Sequence, residues 1–108
     1  MLRKPSPDEQ RLIDELVRRS PHQLPSDWKE KLRVETMNDG AMGSLVLFPD
    51  DLRPRKRLFG CVASKLEFKD EDGIDVLVTL NLDNEGKLFE VDSWKVDFKP
   101  LVRIPDDF

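Results

Sequence analysis

Hydrophobic positions along the chain follow two rhythms, one helical near the start and one alternating through most of the rest. Leu12, Ile13, Leu16 and Val17 recur at the spacing of a single helix face. Ser6-Pro7-Asp8-Glu9 before them reads as a helix start: Ser6 can cap, Pro7 suits the first helical position, and Glu9 completes a capping box. Arg18 and Arg19 suit the negative end of the helix dipole. Ser20-Pro21 ends the helix, because the residue before a proline disfavours helical geometry. A second, shorter helix is predicted from Ser26 to about Leu32. Ser26 or Asp27 would cap it, and Trp28 and Leu32, four apart, would press on the same core.

The remainder reads as strands. Val34 to Met37 and Leu45 to Phe48 flank the stretch Asn38-Asp39-Gly40-Ala41-Met42-Gly43-Ser44. From Leu58 to Lys69 the chain alternates, with Leu58, Val62, Leu66 and Phe68 assigned to one face and Lys65, Glu67 and Lys69 to the other. Ile74, Val76, Val78, Leu80 and Leu82 alternate more cleanly and are expected to face inward. Glu71-Asp72-Gly73 between these two runs fits a three-residue hairpin loop with Gly73 left-handed. That register places Phe68 opposite Val76, Leu66 opposite Val78, and Lys69 opposite Asp75. The last strand, Lys87 to Phe98, changes parity: Phe89 and Val91 share one face, while Trp94, Val96 and Phe98 share the other. A β-bulge near Asp92 or Ser93 is the simplest repair. Pro100 to Phe108 reads as an irregular tail with Leu101, Val102 and Ile104 partly docked. The expected fold is a single α+β domain over residues 1–108, in which two N-terminal helices pack on one face of an antiparallel, mostly meandering sheet of about five strands.

Composition narrows the setting. The chain has 108 residues, 38% hydrophobic and 37% charged, enough for one modest core. No stretch approaches the roughly 20 apolar residues of a membrane span, and MLRKPSPDEQ lacks the apolar centre of a signal peptide. Cys61 is the single cysteine, so no internal disulfide is possible. The expectation is a cytoplasmic protein of bacterial style. Charge is uneven. Residues 67–108 carry twelve acids and five bases, a balance of −7, whereas residues 1–66 carry thirteen bases and ten acids, a balance of +3. An acidic C-terminal half repels phosphate, which disfavours nucleic acid and suits a basic protein partner.

Most chemical motifs fail on spacing. One histidine, His22, and one cysteine, Cys61, form no zinc pattern, and Asp70-Glu71-Asp72-Gly73 is too short for a calcium loop. No metal or other cofactor is expected. Cys61 lies mid-strand and carries no signature of a nucleophile. Ser44 follows Gly43, but Val46 stands where a nucleophile elbow needs its second glycine. Nor is the loop a phosphate cradle, because no lysine follows Gly43 and a strand comes next. The basic run Arg53-Pro54-Arg55-Lys56-Arg57 has no interleaved aromatics and reads as a solvated connector. Glu90 and Asp92, two apart, could share a strand face as paired carboxylates.

Several of these pieces together resemble a family of small bacterial proteins of unknown function. They are Asp39-Gly40-Ala41-Met42-Gly43-Ser44-Leu45, Leu80-Asn81-Leu82-Asp83, and the run Val91-Asp92-Ser93-Trp94-Lys95-Val96-Asp97-Phe98. They match a DGGMGSL-like loop, an LNxD stretch and an LDxWKxDF-like strand. Ala41 stands where the pattern has its second glycine, which argues against a need for glycine geometry there. The resemblance implies a compact α+β domain and no particular activity. It draws attention to Asp39, Gly40, Met42, Gly43 and Ser44 in the loop, and to Glu90, Asp92, Trp94 and Lys95 in the strand. The functional expectation is a non-enzymatic protein-binding module, immunity-like by analogy of size and acidity. The alternative is a small enzyme or ligand-binding domain using Asp39, Glu90 and Asp92 with Lys95. Whether the loop lies beside Val91-Asp92-Ser93-Trp94 in space decides whether the two oddities belong together.

Overall fold

In a computed structural model, which describes residues 2–50 and 56–108, the chain forms one helix, one isolated helical turn and a five-stranded antiparallel sheet. Helix α1 runs Pro7–Arg19 and the turn α2 Trp28–Lys31. The strands are β1 Arg33–Thr36, β2 Leu45–Phe48, β3 Phe59–Lys69, β4 Asp75–Asp83 and β5 Leu88–Lys95. No helix is long and apolar enough to cross a membrane.

Helix α1 begins as its sequence dictates. Ser6 Oγ accepts the Glu9 N–H at 3.2 Å, and Glu9 Oε1 accepts the Ser6 N–H at 2.8 Å. Arg3 pairs with the same carboxylate, ties the cap to Thr36, and pairs its backbone with Val34 on the β1 edge. Leu12, Ile13 and Leu16 are buried against β3 and β4. Ser64 on β3 donates its hydroxyl to the Leu16 carbonyl at 2.6 Å.

The two-helix α+β arrangement is corrected by the structure, which is mostly β. The segment predicted as a second helix makes a single turn. Asp27 gives it no side-chain cap, and Leu32 after it is already extended at ψ 131°. One turn cannot repay the cost of helix nucleation, and two apolar residues are too few to hold a helix by packing alone. Trp28 still packs against the core, but Leu32 enters it as the lead into β1.

The sheet is also not a simple meander. Its order is β1-β2-β5-β4-β3, so β3, the next strand in the chain after β2, lies at the far edge of the sheet. Strands β3, β4 and β5 then return strand by strand and dock on β2. The β3–β4 hairpin has the expected register: Phe68 opposes Val76, Leu66 opposes Val78, and Lys69 opposes Asp75, with a 2.8 Å ion pair. Gly73 closes the loop at φ +81°.

Bulges overturn two of the predicted faces. Strand β3 slips register between Phe59 and Cys61 and again between Val62 and Ser64. Leu58 and Val62 are therefore exposed, while Ala63, Leu66 and Phe68 are buried. At Gly60 a Cβ would stand 2.1 Å from the Asp83 carbonyl oxygen, so only glycine fits. Strand β5 bulges at Phe89, because Leu88 pairs with Leu82 and Glu90 with Asn81. The bulge lies ahead of the predicted Asp92–Ser93 position, and it reverses the outcome. Val91, Ser93 and Lys95 face the core, and Asp92 and Trp94 face away from it.

The covered face of the sheet meets α1 and the tail. Ile104 is buried, Phe108 contacts Phe68 edge-on, and Arg11 on α1 donates to the carbonyls of Ile104 and Pro105. The opposite face carries no helix.

Candidate functional site

The two regions singled out by sequence meet at Ser44 and Ser93. The Asp39 carboxylate organises the loop from within, accepting the Met42 N–H at 3.1 Å and the Ser44 N–H at 3.0 Å. Gly40, Ala41 and Gly43 have φ of +77°, +63° and +99°. Ala41 thus adopts left-handed geometry despite its Cβ, which reverses the inference drawn from its departure from glycine. Its carbonyl is bonded by the Leu101 N–H at 2.9 Å, a tie to the tail that holds the conformation. A Cβ on Gly43 would meet Leu101 at 3.1 Å and Ser93 Oγ at 3.6 Å, so the loop lies flat on β5.

Ser44 replaces a strand partner. Strand β2 pairs with β5 only through Leu45 and Val46. Beyond that point the Ser44 hydroxyl accepts the Ser93 N–H at 2.9 Å and donates to the Ser93 carbonyl at 3.2 Å. Both backbone groups would otherwise be buried without partners. The buried Ser93 Oγ has no hydrogen-bond partner among the described residues.

Lys95 is the largest fully buried side chain. Its ammonium donates to Asp72 at 2.6 Å, to Asp70 at 2.9 Å and to the Pro100 carbonyl at 3.2 Å. Burial opposes the charge, but the hydrogen bonds to Asp72 and Asp70 outweigh it and raise its pKa. Burial likewise works against Asp70. The Val102 N–H, Lys95, and the N–H groups of Arg103 and Glu71 overcome it and hold the carboxyl down at about 2. Asp72 is lowered chiefly by its hydrogen bond to Lys95. The cluster fastens the end of β5, the β3–β4 turn and the tail to one another, with every donor of Lys95 used.

A second ionic clamp at the other end of the sheet escaped the sequence reading. Of the predicted basic run, Arg53, Pro54 and Arg55 lie outside the described residues, but Arg57 is no solvated connector residue. Its guanidinium lies near the rings of Phe48 and Phe89, at 5.4 and 5.0 Å from their centroids. It donates to the carbonyls of Leu47 and Leu88, and pairs with the buried Asp83 at 3.4 Å. It ties the lead into β3 to β2, β4 and β5. The LNxD stretch was the available signal, since Asp83 also accepts the Glu85 and Lys87 N–H groups.

The remaining predicted residues lie on the open face. Glu90 accepts a hydrogen bond from Asn81 at 3.0 Å. Asp92 and Trp94 line a groove of about 550 Å³ with Lys65 and Glu67 of β3, Leu77 and Thr79 of β4, and Arg19 from the end of α1. Trp94 is 41% exposed and braced by Phe98, their ring centroids 6.0 Å apart. Val96 and Phe98 are 42% and 70% exposed. Asp39, Glu90, Asp92 and Lys95 are therefore not gathered around one cavity. Asp39 is bound within its loop, Lys95 is enclosed on the covered face, and Glu90 and Asp92 look the other way. Cys61 is exposed, 4.0 Å from His22 Nε2. Among the described residues no group of three or more His, Cys, Asp or Glu stands where it could hold a metal ion.

Fold and site define a small, mostly β domain with one sheet face covered by a helix and a strapped-down tail, and the other open around Trp94. The chain belongs to the domain-of-unknown-function family DUF6984, matched over residues 2–105. No curated protein and no solved structure matches it.

Proposed function

We propose that the protein is a non-enzymatic protein-binding module that meets a basic partner through the open face of its sheet. The observation that carries this reading is the exposed apolar group Trp94, Val96 and Phe98, contiguous with a groove on a face that no helix covers. Contiguous exposed apolar surface marks interaction sites more often than scattered single residues do. The balance of −7 over residues 67–108 favours a partner of opposite charge. Of the groups named for an enzyme, Asp39 and Lys95 spend their hydrogen-bonding capacity inside the fold, and Glu90 and Asp92 lie on the opposite face from Lys95.

A photo-crosslinking residue placed at Val96 tests the reading, with the same residue at Arg18 on α1 as control. A discrete adduct from position 96 in native lysate, absent from position 18 and lost on Trp94→Ser, is the expected result. No adduct at 96, or the same adducts from both positions, overturns it.

A further inference from the structure

We infer that the groove on the open face is a seat for a single cationic side chain, best an arginine, presented by the basic partner. This deepens the proposed protein-binding reading and rests on it. Register defines the seat. Glu67, Leu77 and Trp94 form one row across β3, β4 and β5, and Lys65, Thr79 and Asp92 form the next. With strands about 4.8 Å apart, Glu67 and Trp94 stand roughly 10 Å from each other across Leu77. Asp92 precedes Trp94 by two residues on the same face, about 7 Å along the strand. A cation above Leu77 thus has an indole on one side and a carboxylate on each of two others.

Three properties of this arrangement suit a guanidinium. Trp is the strongest cation–π partner among side chains, and its ring here is both exposed and braced by Phe98. Among the described residues the carboxylates of Glu67 and Asp92 accept no hydrogen bond and form no ion pair; Glu67 feels Lys69 only at a distance, since that lysine's hydrogen bond goes to Asp75. Leu77 and Thr79, half-buried, make a floor on which an aliphatic stem can lie. Arg19, on the groove margin, is already paired with Glu15 at 2.8 Å.

Lys65 faces the seat from across Thr79 and forms no ion pair among the described residues. It repels a cationic guest, and this gives the inference a signed consequence. Loss of Lys65 tightens binding of a cation, whereas an anionic ligand, or a second copy of this chain pairing its Asp92 with Lys65, would lose affinity.

The experiment is a titration of the full chain with blocked hexa-arginine, with hexaglutamate as control. The Trp94 indole N–H resonance is followed and the Trp28 indole serves as an internal reference. Hexa-arginine should shift Trp94 and leave Trp28 in place. Glu67→Gln with Asp92→Asn should weaken binding roughly threefold to tenfold, and Lys65→Gln should strengthen it about twofold. Retained backbone resonances show that these surface variants are folded. An unmoved Trp94, an equal response to hexaglutamate, or weaker binding by Lys65→Gln overturns the seat. If it fails while Val96 still crosslinks a discrete partner, the protein-binding reading stands without it; if both fail, both fall.

Discussion

The two faces of β5 both carry polar and charged side chains and use them in opposite ways. On the covered side Ser93 and Lys95 are enclosed. One is held through its backbone by Ser44 and the other by Asp70, Asp72 and the Pro100 carbonyl. On the open side the side chains of Asp92 and Trp94 look into a groove and make no hydrogen bond or ion pair among the described residues. A lysine is thus structural and an aspartate three residues before it on the same strand is available, and parity separates them. Residue type says little about role here until the register is known.

Removing the enclosed cation should break the contrast most severely. Lys95→Met leaves Asp70 and Asp72 facing each other with no countercharge, and the orphaned buried carboxylate is expensive. A fall in melting temperature of about 10 °C or more is expected in a thermal scan. The same cluster sets an acid limit. Asp70 is held at about 2, below its ordinary 3.8, and Asp72 is lowered too. Their contribution is complete above the unfolded value and is lost as pH falls from about 4 towards 2. Urea midpoints measured from pH 6 to pH 2 should drop steeply in that window, and Asp70→Asn should flatten the drop. The raised Lys95 works in the other direction, its contribution persisting through pH 10 and fading only above its ordinary 10.5.

Ser44→Ala should come next, at about 1–3 kcal/mol by urea denaturation, because the Ser93 N–H and carbonyl lose their only substitute for a strand partner. The smallest effect belongs to the open face. Trp94→Ser should change stability by no more than about 0.5 kcal/mol while abolishing the crosslinked adduct at Val96. A large loss of stability from Trp94→Ser would erase the distinction between the faces.

Where chemistry was local, the sequence was legible. The capping box at Ser6 and Glu9 needs four residues, and the Glu71-Asp72-Gly73 loop fixes its own hairpin register, down to the Lys69–Asp75 pair. The inward row from Val76 to Leu82 followed from alternation alone. Of the site, the loop and the Asp92–Lys95 strand were recognised as notable, and their adjacency at Ser44–Ser93 answers the question that the sequence raised. Their separate roles were not legible, because Lys95 and Trp94, neighbours in sequence, point to opposite faces in any register, and the bulge at Phe89 decides which of them is enclosed.

What the sequence determined by itself is therefore the start of α1, the β3–β4 hairpin and the strand-rich character of the chain, each encoded within a few residues. Tertiary structure alone decided the rest. The segment after Asp27 could have been helical, but without a side-chain cap, and with Leu32 drawn into the core as extended chain, it became one turn leading into β1. The lead into β3, the burial of Arg57 and Lys95, and the left-handed Ala41 all depend on partners far along the chain: Asp83, Asp70 and Leu101. The groove is the extreme case. Its rows join residues from three strands: the hairpin loop sets Glu67 opposite Leu77, but no local pattern could bring Trp94 into that row before β5 had chosen its register on β4.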